Sequence, residues 1–314
     1  MCSRTTRPLW TILLLLSIYL VTPLTAVTQT TEPQARKIVS EDFTKNRQEA
    51  LSKVGTQESS VAAREKPKPR KRTYKLASAA MKPRKPQATV AQLGLTIWRL
   101  RAARAHETGA RMLVRESNKT SERVPVRVEA DATFSEGDQL RLTVESAQRG
   151  YLYVIDRELL ADGSTGPAML IYPWTGMPDD NQVGPGKLVD IPAQADDPSY
   201  FTAKRSSANH VGEMLTFIVS STPFKLPISD KPLQITDSEL AKWENAWGTP
   251  SERFEMEGGA GEVWTKEEQQ AATHSGARQL TRDDPSPQTI YRVSVADNKA
   301  FLVNVQLRYD RPPR

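Results

Sequence analysis

"RGYLYVIDRE", Arg149–Glu158, is the stretch on which the fold reading turns. Leu152 and Val154 point one way, and Tyr151, Tyr153 and Ile155 the other, so both faces of this strand are apolar. A strand with one wet face would alternate apolar and polar residues instead. The stretch therefore reads as a central strand. It ends in three charges, Asp156, Arg157 and Glu158. Either the strand delivers acid-base groups into a site, or a core strand runs out into solvent. Alternation sets Asp156 beyond Leu152 and Val154, and Arg157 beyond Tyr153 and Ile155. Charges on opposite faces do not form one catalytic group. The stretch reads as a core strand leaving a sandwich for the loop "LLADGSTG".

Its neighbours have the same texture. "GDQLRLTVESA" alternates Leu140, Leu142 and Val144 against Arg141, Thr143 and Glu145, the pattern of a half-buried antiparallel strand. "VPVRVEADATF" alternates Val124, Val126 and Val128 against Pro125, Arg127 and Glu129. "GLTIWRLRAA", "AMLIYPW", "KLVDIP" and "MLTFIVSS" are further strand candidates, separated by Gly-, Pro- and Asp-rich turns. The class is mainly β: an antiparallel β-sandwich-like domain with short helical insertions. Asp237 or Ser238 caps the helix "ELAKWENAW", with Trp243 and Trp247 on one face. Thr265 caps a second short helix, "TKEEQQAAT". "TIYRVSVADNKAFLVNVQLRY" reads as a closing hairpin with its turn at Ala296–Lys299.

Charge is distributed unevenly over the 314 residues. Residues 64–85 hold ten Lys/Arg and one Glu, whereas 86–314 hold 26 basic and 31 acidic groups. The folded part is mildly acidic, so nucleic acid is disfavoured as a partner. Arg4 and Arg7 precede an apolar run from Leu9 to Val21, followed by Pro23 and small residues around Ala26. That order is a signal peptide, expected at 1–26, with an uncleaved signal anchor as the alternative. Residues 27–90 read as a disordered Lys/Pro-rich linker, with a weak helix over Glu41–Val54. Residues 91–311 form the β domain, with its core at 93–224. Cys2 is the only cysteine, which excludes disulfides and Cys-ligated metal sites from the mature chain.

The residues "LTIWRL", "FSEGDQLRLTVESAQRGYLYVID", "LIYPW", "DDNQVGPGKLVDIP" and "GEMLTFIVSSTPF" stand in the order found in the DUF4384 domain, which this chain resembles over roughly half its length. The resemblance implies an accessory binding or scaffold role in an exported bacterial protein. It carries over no catalytic residue.

Candidate chemistry is sparse. His106, His210 and His274 lie far apart and read as exposed loop histidines. "SSANH" lacks the Gly-x-Ser-x-Gly elbow of a serine hydrolase. The pairs Asp179-Asp180, Asp196-Asp197 and Asp283-Asp284 read as turn stabilisers, with a calcium clamp as the functional alternative. Tyr172 and Trp174, with Asp179, Asp180 and Asn181, make the best candidate ligand rim, weighed against packing at the sandwich edge. Lys66, Lys68, Arg70, Lys71 and Arg72 are candidate electrostatic contacts to an anionic envelope polymer or lipid head groups. No cofactor and no metal is expected. The expected function is a non-catalytic interaction module in the periplasm or at the cell surface, binding a protein or envelope polymer. Its rivals are an envelope hydrolase using Asp156 and Glu158 with Asp179 or Asp180, and a membrane-anchored scaffold.

Overall fold

A computed structural model of the chain describes residues 43, 45, 47, 74–78, 89–104, 110–117, 119–174, 181–228, 233–271, 277–280, 284–295 and 300–310. The first sheet contains β1 (Tyr74–Ser78), β2 (Thr89–Ala102), β3 (Met112–Glu116), β4 (Lys119–Val128), β6 (Gln139–Ser146), β10 (Lys187–Ile191), β11 (Phe201–Thr202), β14 (Ser251–Met256), β15 (Ala277–Gln279) and β16 (Thr289–Val295). Its order is β1-β14-β16-β2-β6-β10-β15, with β4 and then β3 branching from β2, and β11 from β6. The second sheet contains β5 (Thr133–Phe134), β7 (Gly150–Leu160), β8 (Ala168–Tyr172), β9 (Gln182–Val183), β12 (His210–Ser220), β13 (Leu233–Ile235) and β17 (Phe301–Tyr309). Its order is β13-β8-β7-β12-β17-β5, with β9 beside β7. The molecule is mainly β, as its alternation predicts.

The main core lies between the sheets. Leu93, Leu95, Ile97, Leu140, Leu142, Val144, Tyr291 and Val293 come from the first sheet, and Leu152, Val154, Phe217, Val303 and Val305 from the second. Each such side chain contributes about 1.5–3 kcal/mol on full burial. β7 is central, as expected: Leu152 and Val154 enter this core, while Tyr153 and Ile155 pack on the outer face against Ile218, Leu302 and Leu240. Helix α1 (Asp237–Trp247) covers that outer face. Tyr153 stacks on Phe224 at 4.2 Å, and Phe224 on Trp243 at 4.7 Å. The cap of α1 is Thr236, ahead of both expected candidates, Asp237 and Ser238; its side chain accepts the Glu239 N–H at 3.2 Å.

Three expectations are corrected. The closing pair of strands is not a hairpin: β16 lies in the first sheet between β14 and β2, and β17 in the second beside β12. Tyr291, Val293, Val303 and Val305 meet across the core instead of side by side. The polar face of β6 is not wet. Arg141 is 0% exposed and Glu145 7%, because other segments cover the outer side of the first sheet. The stretch read as a linker contributes to the fold as well: β1 pairs with β14, and the helical residue Phe43 joins Tyr74, Phe254, Met256 and Ile290 in a satellite core. The signal segment and the basic residues Lys66–Arg72 lie outside the described residues.

Candidate functional site

Two polar clusters stand out. The first occupies one end of the sandwich interior. Leu215 pairs with Asp156, and Glu213 with Glu158, across β12 and β7. Period-two alternation puts all four side chains on the core face. Here the apolar ladder gives out, and Asp156, Glu158, Glu213, His210 and Tyr309 take its place. A register shift between His210 and Gly212 bulges β12, and the imidazole is only 2% exposed. This corrects the reading of His210 as an exposed loop histidine. The Ser206 N–H donates to Nδ1 at 3.1 Å, so Nδ1 is the acceptor and Nε2 carries the hydrogen. Nε2 faces the Gly212 carbonyl at 2.8 Å and Glu213 Oε1 at 3.1 Å.

Tyr309 donates its hydroxyl to Glu213 Oε1 at 2.5 Å, and the Glu213 and Asp156 carboxyls lie near enough to interact. Burial pushes Asp156 up to about 7, and the neighbouring Glu213 adds to the rise. Burial likewise pushes Glu213 up to about 7; the Tyr309 bond opposes this and Glu158 reinforces it. Burial and the bond to Glu213 hold the Tyr309 phenol well above its ordinary range. Clusters of such shifted groups mark functional sites more often than ordinary surface does. Chemically, this one can exchange a proton near neutral pH.

The second cluster is a charged layer on the outer side of the first sheet. Arg141 Nη2 pairs with Asp190 Oδ2 at 3.2 Å. Asp190 Oδ1 accepts the Thr143 hydroxyl at 2.7 Å, and Thr143 accepts the Trp98 indole N–H at 2.9 Å. Arg278 grips Asp284 with two contacts of 2.8 Å. Arg127 donates to Glu268 Oε1 at 3.0 Å. Glu268 also closes a capping box at the start of α2 (Lys266–Ala271): its Oε2 accepts the Thr265 N–H at 2.8 Å, and its own N–H donates to Thr265 Oγ1 at 3.1 Å. Trp98 and Trp264 meet edge to face at 5.8 Å, with Arg127 4.9 Å over Trp98 and Arg141 5.6 Å over Trp264. Burial lowers the Arg141 guanidinium against the pull of Asp190, and raises Glu145 against Arg47. The space left between these groups is ≈ 20 Å³, about one water. This layer staples covering segments to the sheet.

The residues of the expected rim are placed as follows. Tyr172 is fully buried in the main core, and Trp174 packs edge-on against it at 5.8 Å. Asn181 clamps β7: its Nδ2 donates to the Leu152 carbonyl, and its own carbonyl accepts the Leu152 N–H, both at 2.8 Å. Asp179 and Asp180 fall outside the described residues, as do His106, His274 and Asp283. Asp196 accepts the Ala193 N–H at 2.6 Å, the turn contact expected of it, and Asp162 accepts the Ser164 N–H at 2.9 Å. Among the described residues no group of three His, Asp or Glu side chains has metal-binding geometry. The sequence reading missed Glu213, His210 and Tyr309 as partners of Asp156. The available signal was Glu213 breaking the apolar run of β12 just after a glycine.

These features define a mainly-β sandwich domain with an acid cluster at one end and a stapled charged layer on one side. No family model, curated protein or solved structure matches the chain.

Proposed function

We propose that the chain is an exported, non-catalytic interaction module that binds a protein or envelope polymer, in keeping with its resemblance to the DUF4384 domain. The observation that carries this reading is the β3–β4 hairpin. Among the described residues, Lys119–Glu122 of β4 pair with β3 alone, so the hairpin projects beyond the body of the sheet. Its free face carries Leu113, 50% exposed, the most exposed large apolar residue among the described ones. Glu122 lies opposite Leu113, and the exposed Arg115 stands two residues along on the same face. An apolar residue ringed by charge suits the core and rim of a small interface. Outward backbone groups of β3 are capped by side chains: Arg115 N–H donates to Ser199 Oγ at 3.2 Å, and Ser117 N–H to Asp197 Oδ1 at 3.1 Å. Recognition through side chains, not by strand addition, follows from that capping. A signal peptide would deliver the domain to the envelope, and the basic tract would add attraction to anionic polymers or lipid head groups.

The test is in-cell photo-crosslinking from position 113, with position 234 as an exposed control on β13. A discrete adduct from 113 alone supports the reading. Adducts from 234 and none from 113 overturn the assignment of the surface.

A second reading, an envelope hydrolase, is favoured by one observation: Asp156 and Glu213 sit in contact, both raised to about 7, within reach of Tyr309. Turnover of an ester, peptide or glycan substrate, lost in Asp156→Asn, would establish it. The mass of the mature N-terminus separates the secreted form from the membrane-anchored scaffold.

A further inference from the structure

The acid cluster has a shortage of hydrogen-bond donors. Asp156 Oδ1 and Glu213 Oε2 are both buried and meet no donor among the described residues. The donors that do reach these two carboxyls are few: the Tyr309 hydroxyl on Glu213 and the Arg157 backbone N–H on Asp156, while His210 Nε2, 3.1 Å from Glu213 Oε1, has the Gly212 carbonyl as its hydrogen-bond partner. Among the described residues neither nearby arginine compensates. Arg157 points to the opposite face, where it holds Glu244 at 2.8 Å. Arg205 lies over the Tyr309 ring and spends its guanidinium on the carbonyls of His210 and Asp310. Glu158 adds a third carboxylate, 3.9 Å from His210 Nδ1. That nitrogen accepts the Ser206 N–H. Lys204 approaches Tyr309 through its backbone. Asp310, just past the strand, is tied to the Ser135 hydroxyl at 2.6 Å.

We infer that the Asp156–Glu213 carboxyl pair is a proton-operated latch on this end of the sandwich, closed while the two groups share a proton and released when that proton leaves. Two carboxylates in contact cannot both ionise without repulsion, and the shared proton supplies the missing donor. The neighbouring segment is held at its edges. The Ser206–Gly212 turn is fixed by the His210 contacts, by Arg205, by the Asn209 carbonyl accepting the Ala161 N–H at 2.8 Å and by the pairing of His210 and Gly212 with β7. The β12–β17 ladder runs as far as Gly212 and Arg308, and on its other side the end of β17 pairs with two residues of β5, through Arg308 and Tyr309. Once both carboxyls are charged, Glu158 adds repulsion, and the turn and the Tyr309 end of β17 part, exposing the interior beside Leu215 and Leu307. Burial, which raises both groups to about 7, puts this release near neutrality. The inference is independent of the partner proposed above.

The test is amide hydrogen exchange on the full chain at pH 5.5 and 8.5, corrected for intrinsic rates. Amides of residues 206–215 and 305–310 are expected to lose protection at least tenfold at the higher pH, with the β2–β6 amides unchanged. The Asp156→Asn/Glu213→Gln variant, neutral at both pH values, is expected to stay protected. Equal wild-type protection at the two pH values overturns the latch, as does a pH-dependent loss that survives in the variant. Should the double variant fail to fold, carbonyl-carbon NMR of wild-type Asp156 and Glu213 decides. Two well-separated titration steps support the shared proton, and two ordinary carboxylate titrations overturn it.

Discussion

Asp156 and Glu213 stand on adjacent strands, two interacting carboxyls inside the end of the sandwich, with Glu158 opposite Glu213. Folding raises both groups to about 7 from ordinary values of 3.8 and 4.5, and burial raises Glu255 to about 7 as well. The sign follows directly. A group whose pKa is higher when folded binds its proton more tightly in the native state. Its contribution is complete below the unfolded pKa and is lost as pH rises through the folded one. Each such group is therefore expected to cost the domain on the order of 3 kcal/mol between about pH 4 and pH 7, the Asp156–Glu213 pair titrating as one unit. Urea denaturation across that range measures it. Asp156→Asn should flatten part of the slope.

Tyr309→Phe removes the hydroxyl that donates to Glu213 Oε1. A buried acceptor deprived of its donor costs about 1–3 kcal/mol. Chemical denaturation at pH 5, where the latch is closed and this bond is made, should show a larger loss than at pH 8.

Arg141→Ala leaves Asp190 buried, with Arg278 at 3.9 Å as its remaining cationic neighbour. Breaking a buried pair from one side costs about 3–5 kcal/mol. Replacing both partners with apolar residues, Arg141→Met with Asp190→Leu, is expected to cost less than the single change. Thermal melts of the two variants compare them.

Gly212→Ala puts a Cβ 2.1 Å from the Leu307 carbonyl oxygen, on backbone that cannot yield without moving β17. A loss of about 3 kcal/mol or more is expected from such overpacking. Gly163→Ala tests a different cost: nothing lies within 4 Å of the added atom, but φ is +85. Its penalty should be the backbone strain alone, about 1–2 kcal/mol.

The alternation of Leu152, Val154, Leu140 and Val144 shows the core directly in the sequence, because burial of one strand face depends on residue parity alone. Parity also correctly separates Asp156 from Arg157. What covers a polar face is decided by distant segments. Arg141 and Arg127 therefore read as wet although Trp264 and Glu268 bury them. The same holds for the acid cluster. Asp156 is visible at the end of its strand, but its meeting with Glu213, His210 and Tyr309 depends on register between strands more than 50 positions apart. The supposed hairpin fails for a related reason. Two amphipathic strands in succession are equally compatible with pairing edge to edge and with facing each other across a core.

That last arrangement affects the timing of folding. β16 fills the gap between β14 and β2, while β17 flanks β12 in the other sheet. Neither sheet can close until residues 289–309 have left the ribosome, so most of the chain is synthesised before a stable sandwich can form. A protein bound for a narrow export channel, as proposed here, has to arrive there unfolded. On that proposal, the late synthesis of β16 and β17 would favour the unfolded chain until both strands are available.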